Sequence, residues 1–322
     1  MHVKPILKWA GGKRQLLPQL RRFYPASFAR YVEPFVGSGA VFLDLHNAGR
    51  LEGTRVQLSD INADVIGCYR MVRDAVDDVI DCLRRLERGH LARGPEQFYE
   101  VRDGRFNAQR RQLGGDADRY TPELAAMLIY LNRTGYNGLF RVNSLGDFNV
   151  PAGRHGSLTI CDAENLRRLS AAFGGPGVAL DVRPYGDALL GTGRGDFVYL
   201  DPPYAPVSRT AQFTSYTASR FGPDEQSRLQ QAVIAMATRG AYVLLSNSAA
   251  PEIRRLYADC AEVRRAGLVA TTVPARRAIN SRASGRGAVL EYLITNVSPV
   301  DARPGRRPRR AKRQGGSSRN FV

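Results

Sequence analysis

Four consecutive residues, Asp201-Pro202-Pro203-Tyr204, set a carboxylate, two conformationally fixed residues and an aromatic ring directly after the apolar run FVYL. Such a set suits an exocyclic aromatic amine. The amine nitrogen of a base such as adenine is a poor nucleophile because its lone pair is delocalised into the ring. Asp201 can accept one of its N–H groups and the Pro202 carbonyl another, aiming the lone pair at an electrophile while Tyr204 stacks on the base. Earlier in the chain, Glu33-Pro34-Phe35-Val36-Gly37-Ser38-Gly39 lies where an apolar strand meets a helix, so Gly37 and Gly39 let a ligand approach the backbone. The third glycine of a dinucleotide fingerprint is missing, and the acid Glu33 is unwelcoming to a pyrophosphate. A neutral or cationic nucleoside therefore fits better. Asp60 closes VQLSD about twenty residues on, where an acid accepts hydrogen bonds from ribose hydroxyls. Near the start, Lys8-Trp9-Ala10-Gly11-Gly12-Lys13 combines two cations, two glycines and the one tryptophan, as in a loop that covers a flat ligand. Taken singly, the glycines read as a tight turn, Asp60 as a helix cap before Asn62, Trp9 as core and Asp201–Tyr204 as a turn after a strand. Their joint presence favours one nucleoside-type site.

These clusters need a scaffold that brings strand ends together. YVEPFVGSGAVFLDL reads as strand, turn and helix, and VQLSD as the next strand, which begins a parallel α/β sheet. From Asn62 the apolar residues Ile66, Tyr69, Val76, Ile80, Leu83 and Leu86 predict one long amphipathic helix. Residues 89–120 read as irregular, before Thr121 and Pro122 cap and start a further helix. VNSLGDFNV suggests a hairpin turning at Leu145 and Gly146. DFVYL, a helix after Gly222-Pro223, AYVLLSN and AVLEYLITN then resume the sheet. The expected architecture is an α/β sheet domain built from residues 1–64 and 156–298, interrupted by a mostly helical insertion at 65–155 and followed by a tail at 299–322.

Composition narrows the partners. Over 322 residues, 47 Lys and Arg stand against 30 Asp and Glu, a net charge of +17, and the natural partner of such a surface is a polyanion. Residues 302–322 hold eight of the basic residues and no acidic one, and their Pro, Gly and Ser content reads as a disordered basic tail that solubilises or touches nucleic acid. No stretch reaches the roughly 18–20 apolar residues of a membrane span, and the first residues lack a secretory pattern, so a cytoplasmic protein without a membrane partner is expected. Cys68, Cys82, Cys161 and Cys260 form no C-x-x-C pair, and His2, His46, His90 and His155 show no ligand spacing, so neither a disulfide framework nor a metal site is expected.

The order of motifs, K-W-A-G-G-K, E-P-F-x-G-x-G, D-x-N, the segment NRTGYNGLFRVNSLGDFNVPAG and D-P-P-Y, resembles the DNA adenine methyltransferase (Dam) family over residues 5 to 296. The resemblance implies a Rossmann-like methyltransferase sheet carrying an inserted target-recognition domain. It also implies S-adenosyl-L-methionine as cofactor, double-stranded DNA as partner, and methylation at N6 of a flipped-out adenine, with GATC as the family site. By position, Trp9, Lys13, Glu33, Phe35, Gly37, Gly39, Asp60 and Asp201 then resemble the cofactor pocket, and Asp201, Pro202, Pro203 and Tyr204 the catalytic unit. Tyr136 resembles the residue that wedges into the base stack, Leu139 and Pro151 the apolar contacts to a thymine methyl, and Arg141 the reader of a guanine. The same resemblance implies that Lys8 reaches a first guanine and that Asn137 and Arg154 contact backbone or neighbouring bases. No obligate protein partner is implied.

Outside that pattern lie the tail, the arginine-rich ARRAINSRASGRGAVLEY and the stretch APVSRTAQFTSYTASRF. The last reads as a flap with Phe213 and Tyr216 over the base, or equally as a variable surface loop. Two other functions fit parts of the sequence: an RNA amine methyltransferase, since D-P-P-Y encodes amine chemistry rather than DNA, and a catalytically inactive DNA-binding homologue. The recognition segment argues against the first. Retention of Asp201, Asp60 and Lys13 argues against the second.

Overall fold

The computed structural model describes residues 2–9, 11–154, 158–205, 221–276 and 288–299. Phe213 and Tyr216, the arginine-rich positions 277–287 and the tail at 302–322 lie outside the described residues. Seven strands, β1 (Arg30–Glu33), β2 (Arg55–Asp60), β3 (Val178–Val182), β4 (Asp196–Leu200), β5 (Tyr242–Ser248), β6 (Val269–Arg276) and β7 (Ala288–Thr295), form one sheet in the order β3-β2-β1-β4-β5-β7-β6. The first five are parallel, and β7 runs antiparallel between β5 and β6.

The central strands read as continuous apolar runs because both faces are covered. Alternate side chains serve two cores: Phe197 and Tyr199 of β4 join Tyr31, Leu58 and Leu244 on one side, while Val198 and Leu200 join Val32, Val243 and Leu245 on the other. After the short α1 (Leu17–Leu20), the first core is roofed by α2 (Ala40–Asn47), α3 (Ala63–Asp74), α4 (Val76–Arg93) and further helices of the region between β2 and β3. Those are α5 (Pro95–Tyr99), α6 (Asn107–Leu113), α7 (Pro122–Thr134) and α8 (Ala163–Phe173). After α9 (Tyr185–Ala188), α10 (Pro223–Thr238) covers the second core through Leu229, Val233 and Met236.

The expected single helix after Asn62 is two. Ala75 leaves the helical region at φ −142°, and Asp77 and Asp78 open α4, where carboxylates favour a helix N-terminus. The stretch expected to be irregular at 89–120 is largely helical, with a π-helical turn at Glu100–Phe106 between α5 and α6. Its polar composition belongs to the outer face, while Phe98, Val101 and Phe106 are buried. Thr121 does cap α7, accepting from Leu124 N at 3.1 Å. In place of extended hairpin strands, one antiparallel bridge joins Val142 to Phe148, and Gly146 turns the chain at φ +84°.

Residues 3–8 belong to no strand. Three asparagines hold them as a neighbouring strand would, each carboxamide accepting a backbone N–H and donating to the same residue's carbonyl. Asn47 pairs with Val3 at 2.8 and 2.9 Å, Asn165 with Lys4 at 2.9 and 2.8 Å, and Asn132 with Lys8 at 2.7 and 2.8 Å. Between β1 and β4 the strand order reverses. The loops after these two strands thus border a crevice at the carboxyl edge of the sheet, the usual ligand position in open α/β sheets. Glu33–Gly39 follows the first strand and Asp201–Tyr204 the second.

Candidate active site

Asp201 leaves the carboxyl end of β4 and meets Lys13, whose ammonium lies 2.7 Å from Asp201 Oδ1 and 4.6 Å from the centre of the Tyr204 ring. Lys13 is only 5% exposed and also donates to the Gly11 carbonyl at 2.5 Å. Ser246 Oγ, from β5, bonds Asp201 Oδ1 at 3.1 Å and Tyr199 OH at 3.1 Å. Burial pushes the Asp201 carboxyl upward from its ordinary range. The Lys13 charge and the bonds from Lys13 and Ser246 pull it back toward the ionised form.

Tyr204 is fixed at its far end, donating from its hydroxyl to Glu291 Oε2 on β7 at 2.9 Å. Burial first, then the carboxylates of Asp201 and Glu291, raise its phenol and keep it protonated. The backbone of the turn is fixed as well. Gln226 Nε2 donates to the Pro203 carbonyl at 2.9 Å, and Asn247 Nδ2 donates to Gln226 Oε1 at 3.1 Å, both side chains being buried. A carboxylate beside a clamped aromatic ring, on a braced turn, can accept an amine N–H from a base stacked on that ring.

Across the crevice, Asp60 ends β2 with Oδ2 accepting Gly37 N at 3.0 Å and Oδ1 accepting Asn62 N at 3.0 Å. Burial raises its carboxyl, opposed by the backbone donors of Asn62, Gly37 and Ile61. The cap of α3 is Asn62 itself, which accepts from Asp64 N. Gly37 sits at φ +44°, and a Cβ there would stand 2.8 Å from Trp9 Cδ1, so the indole needs this glycine. Trp9 stacks on Phe140 with centroids 5.4 Å apart. Gly39 takes φ +65° at the start of α2. Phe35 stacks on Tyr185 at 5.4 Å and meets Phe221 edge-on at 5.9 Å.

Glu33 lies beneath the turn rather than in the crevice. It is 2% exposed, and its Oε2 accepts Tyr31 OH at 2.7 Å and Phe42 N at 3.1 Å. Burial lifts its carboxyl to about 8, so near neutral pH it holds a proton and presents no charge to repel an anion. Its place in the turn is structural: it ties β1 to α2.

The residues matched to DNA contacts lie on one stretch of irregular backbone. Tyr136 is 46% exposed, and its N–H bonds the Pro151 carbonyl at 2.9 Å, beside a bridge from Gly135 to Ala152. Asn137 takes φ +55° and is exposed, Leu139 is half-buried, and Arg154 is exposed. Arg141 is exposed, with Nε held by Asn149 Oδ1 at 2.8 Å. Lys8 joins this group through Asn132, which also donates to the Gly138 carbonyl at 2.9 Å, and a Cβ on Gly138 would overlap the Lys8 side chain. Among the described residues no group of three or more His, Cys, Asp or Glu could hold a metal ion, and no helix is long and apolar enough to cross a membrane.

Asn132, Gln226, Ser246, Asn247, Tyr185 and Glu291 were not singled out from sequence. Ser246-Asn247-Ser248 had a usable signal, three polar residues closing a buried strand at the sheet edge where ligands bind.

Comparison with known proteins gives the family. Residues 9–271 match the family described as D12 class N6 adenine-specific DNA methyltransferase. The type II methyltransferase M.MjaIII of Methanocaldococcus jannaschii is 38% identical over 311 residues, covering 92% of this chain and 100% of that protein. The type II methyltransferase M1.LlaDCHI of Lactococcus lactis is 32% identical over 301 residues, covering 92% and 96%. The DNA adenine methylase of Escherichia coli is 34% identical over 292 residues, covering 90% and 94%.

Proposed function

The chain belongs to the D12 class of N6 adenine-specific DNA methyltransferases, and from that premise we propose that it methylates a flipped-out adenine of GATC in duplex DNA using S-adenosyl-L-methionine. The observation that carries the catalytic assignment is the Lys13, Asp201 and Tyr204 cluster at the strand-order reversal.

The crevice suits the cofactor. The Asp60 carboxylate suits ribose hydroxyls, and the Trp9 indole, seated directly on Gly37 because no Cβ intervenes, offers a flat group a surface to stack on. Trp9, Lys13, Phe35, Gly37, Gly39, Asp60 and Asp201 would line the site, with Glu33 supporting its floor. When bound, the cofactor supplies an electrophilic methyl group. The chain's own part is to prepare the amine. Lys13 and Ser246 hold Asp201 as an acceptor against the burial that would protonate it, so the carboxylate takes one N–H of adenine N6. The Pro202 carbonyl takes the other, presented by a turn that Gln226 and Pro203 hold in place. With both hydrogens engaged the nitrogen pyramidalises, and Tyr204, clamped by Glu291, holds the ring in plane.

Residues 65–155 would form the target-recognition insertion and residues 1–64 with 156–298 the catalytic domain, the basic residues at 299–322 adding phosphate contacts. Tyr136 would fill the gap left by the flipped base. Arg141 would read guanine O6 and N7, Lys8 the other guanine, and Leu139 with Pro151 the thymine methyl, while Asn137 and Arg154 steady the backbone.

Plasmid DNA from cells lacking other adenine methylases but expressing the chain tests this reading. N6-methyladenine confined to GATC is the expected result. Methylation of another site replaces the sequence assignment. Methylated RNA with unmodified plasmid would favour amine methylation of RNA, and no methylation of either an inactive DNA-binding protein.

A further inference from the structure

Arg110, on α6, belongs to neither pocket yet touches the framework of both. Its Nε bonds both oxygens of Asp64 at 2.9 and 3.0 Å, Nη2 bonds Asp64 Oδ2 at 2.7 Å, and Nη1 bonds the Gly146 carbonyl at 2.7 Å. The two side chains are 16% and 13% exposed, so water competes weakly for this fork. Asp64 stands in the first turn of α3, joined to the cofactor corner by short steps: its N–H bonds Asn62 Oδ1 at 3.0 Å, and Asn62 N bonds Asp60 Oδ1 at 3.0 Å. Gly146 is the bend of the turn that follows Arg141. A second route passes under the guanidinium, which lies 5.8 Å from the Phe140 ring, itself stacked on Trp9. The same face of α6 grips the turn again, since Asn107 and the Phe148 backbone exchange two hydrogen bonds at 3.0 and 2.8 Å.

We propose that Arg110 is a positioning residue that fixes the DNA-reading turn against the cofactor corner, so that occupancy of either site tightens binding at the other. This rests on the assignment of the two sites made above. A ribose bonded to Asp60 would immobilise the start of α3 and the carboxylate on which Arg110 is docked. The Gly146 carbonyl held by the same guanidinium then has less freedom left to lose when DNA arrives. Coupling of this kind is reciprocal: the factor by which duplex tightens the cofactor equals the factor by which cofactor tightens the duplex. A brace with a merely structural role would change stability or both affinities while leaving that factor alone.

Calorimetric titration of S-adenosylhomocysteine into the full-length chain, with and without a short duplex carrying one GATC, reads the factor directly. The wild type should bind the probe about fivefold or more tightly with duplex. Arg110→Met keeps an unbranched apolar stem on α6 but loses the fork and the guanidinium over Phe140. It should bring the factor close to one, with probe affinity in the absence of DNA unchanged within about threefold. If Arg110→Met does not fold by circular dichroism, the isosteric Asp64→Asn should show the same collapse of the factor. The wild type alone gives another reading, because the probe without DNA should slow amide exchange at Gly146 and Asp147. A wild type with no duplex effect, variants that keep the wild-type factor, or unaltered exchange at the turn would each overturn the proposal. A wild type that fails to bind the probe at all would instead remove the cofactor assignment.

Discussion

Gly37 and Gly39 lie two residues apart, both at positive φ, but only the first faces the indole, and this difference supports a controlled experiment. Placing alanine in the left-handed region costs roughly 1–2 kcal/mol at either position. At Gly39 the new methyl would meet Val36 Cγ2 at 3.8 Å and Phe42 Cδ1 at 4.0 Å, ordinary contacts, so backbone strain is the whole effect. At Gly37 it would stand 2.8 Å from Trp9 Cδ1 and 3.2 Å from Nε1, well inside contact distance, and the indole must move. Moving it sacrifices the Phe140 stack, about 0.5–1.5 kcal/mol beyond area burial, for a total of roughly 1.5–3.5 kcal/mol. Because Trp9 is the only tryptophan, its emission reports this displacement without interference. Gly37→Ala should shift the emission to the red and weaken S-adenosylhomocysteine by between about two- and tenfold relative to Gly39→Ala, since about 1.4 kcal/mol is a factor of ten. Equal spectra and equal probe affinities in the two variants would refute the packing of Trp9 on Gly37 as the basis of the pocket.

Asp201→Asn should lower single-turnover methyl transfer by at least about 100-fold while duplex affinity stays within a few fold, because an amide cannot act as the charged acceptor. Near-normal turnover would remove Asp201 from the chemistry. Arg141→Ala should reduce discrimination at one guanine by about 1–3 kcal/mol, and an equal loss of rate on every duplex would make Arg141 a phosphate contact instead. Glu33 ionises near 8 when folded against 4.5 when free, so the folded chain keeps a proton that the unfolded chain releases. Stability from this group is complete below about 4.5 and falls by a few kcal/mol as pH rises to about 8. Melting curves should show Glu33→Gln losing that decline, and a variant with the wild-type pH slope would contradict the burial of Glu33 as its source.

The site was legible where chemistry and chain geometry coincide. Asp201-Pro202-Pro203-Tyr204 follows a continuous apolar run, so its place at the sheet edge comes from the strand that precedes it, and Gly37 and Asp60 gain meaning the same way. What supports those residues was not legible. Asn132 meets Lys8 from 124 positions away and Gln226 meets Pro203 from the first turns of α10, and no local pattern marks a polar side chain whose partner is a distant backbone group. Periodicity also carried the helix past Ala75, because Val76 and Ile80 lie almost in phase with Ile66 and Tyr69; the acids Asp77 and Asp78 were the sign of a second start. The region after Arg93 read as irregular because a helix that buries a narrow stripe looks polar in composition. Glu33 was recognised as important for a different reason from the one its burial supports.

The three asparagines that hold residues 3–8 also impose an order in time. Lys4 and its partner Asn165 are 161 residues apart, and at about 5–20 residues per second a ribosome needs roughly 8–30 s to cover that distance. Asn47 and Asn132 are made within that interval, but Lys4 lacks its carboxamide until the end of it. Trp9 and Lys13 follow that segment directly, and Asp201, the ion-pair partner of Lys13, is made later still. A chain halted between Asn132 and Asn165 therefore leaves the ribosome with partners for Val3 and Lys8 but none for Lys4, however well the helices behind them have packed.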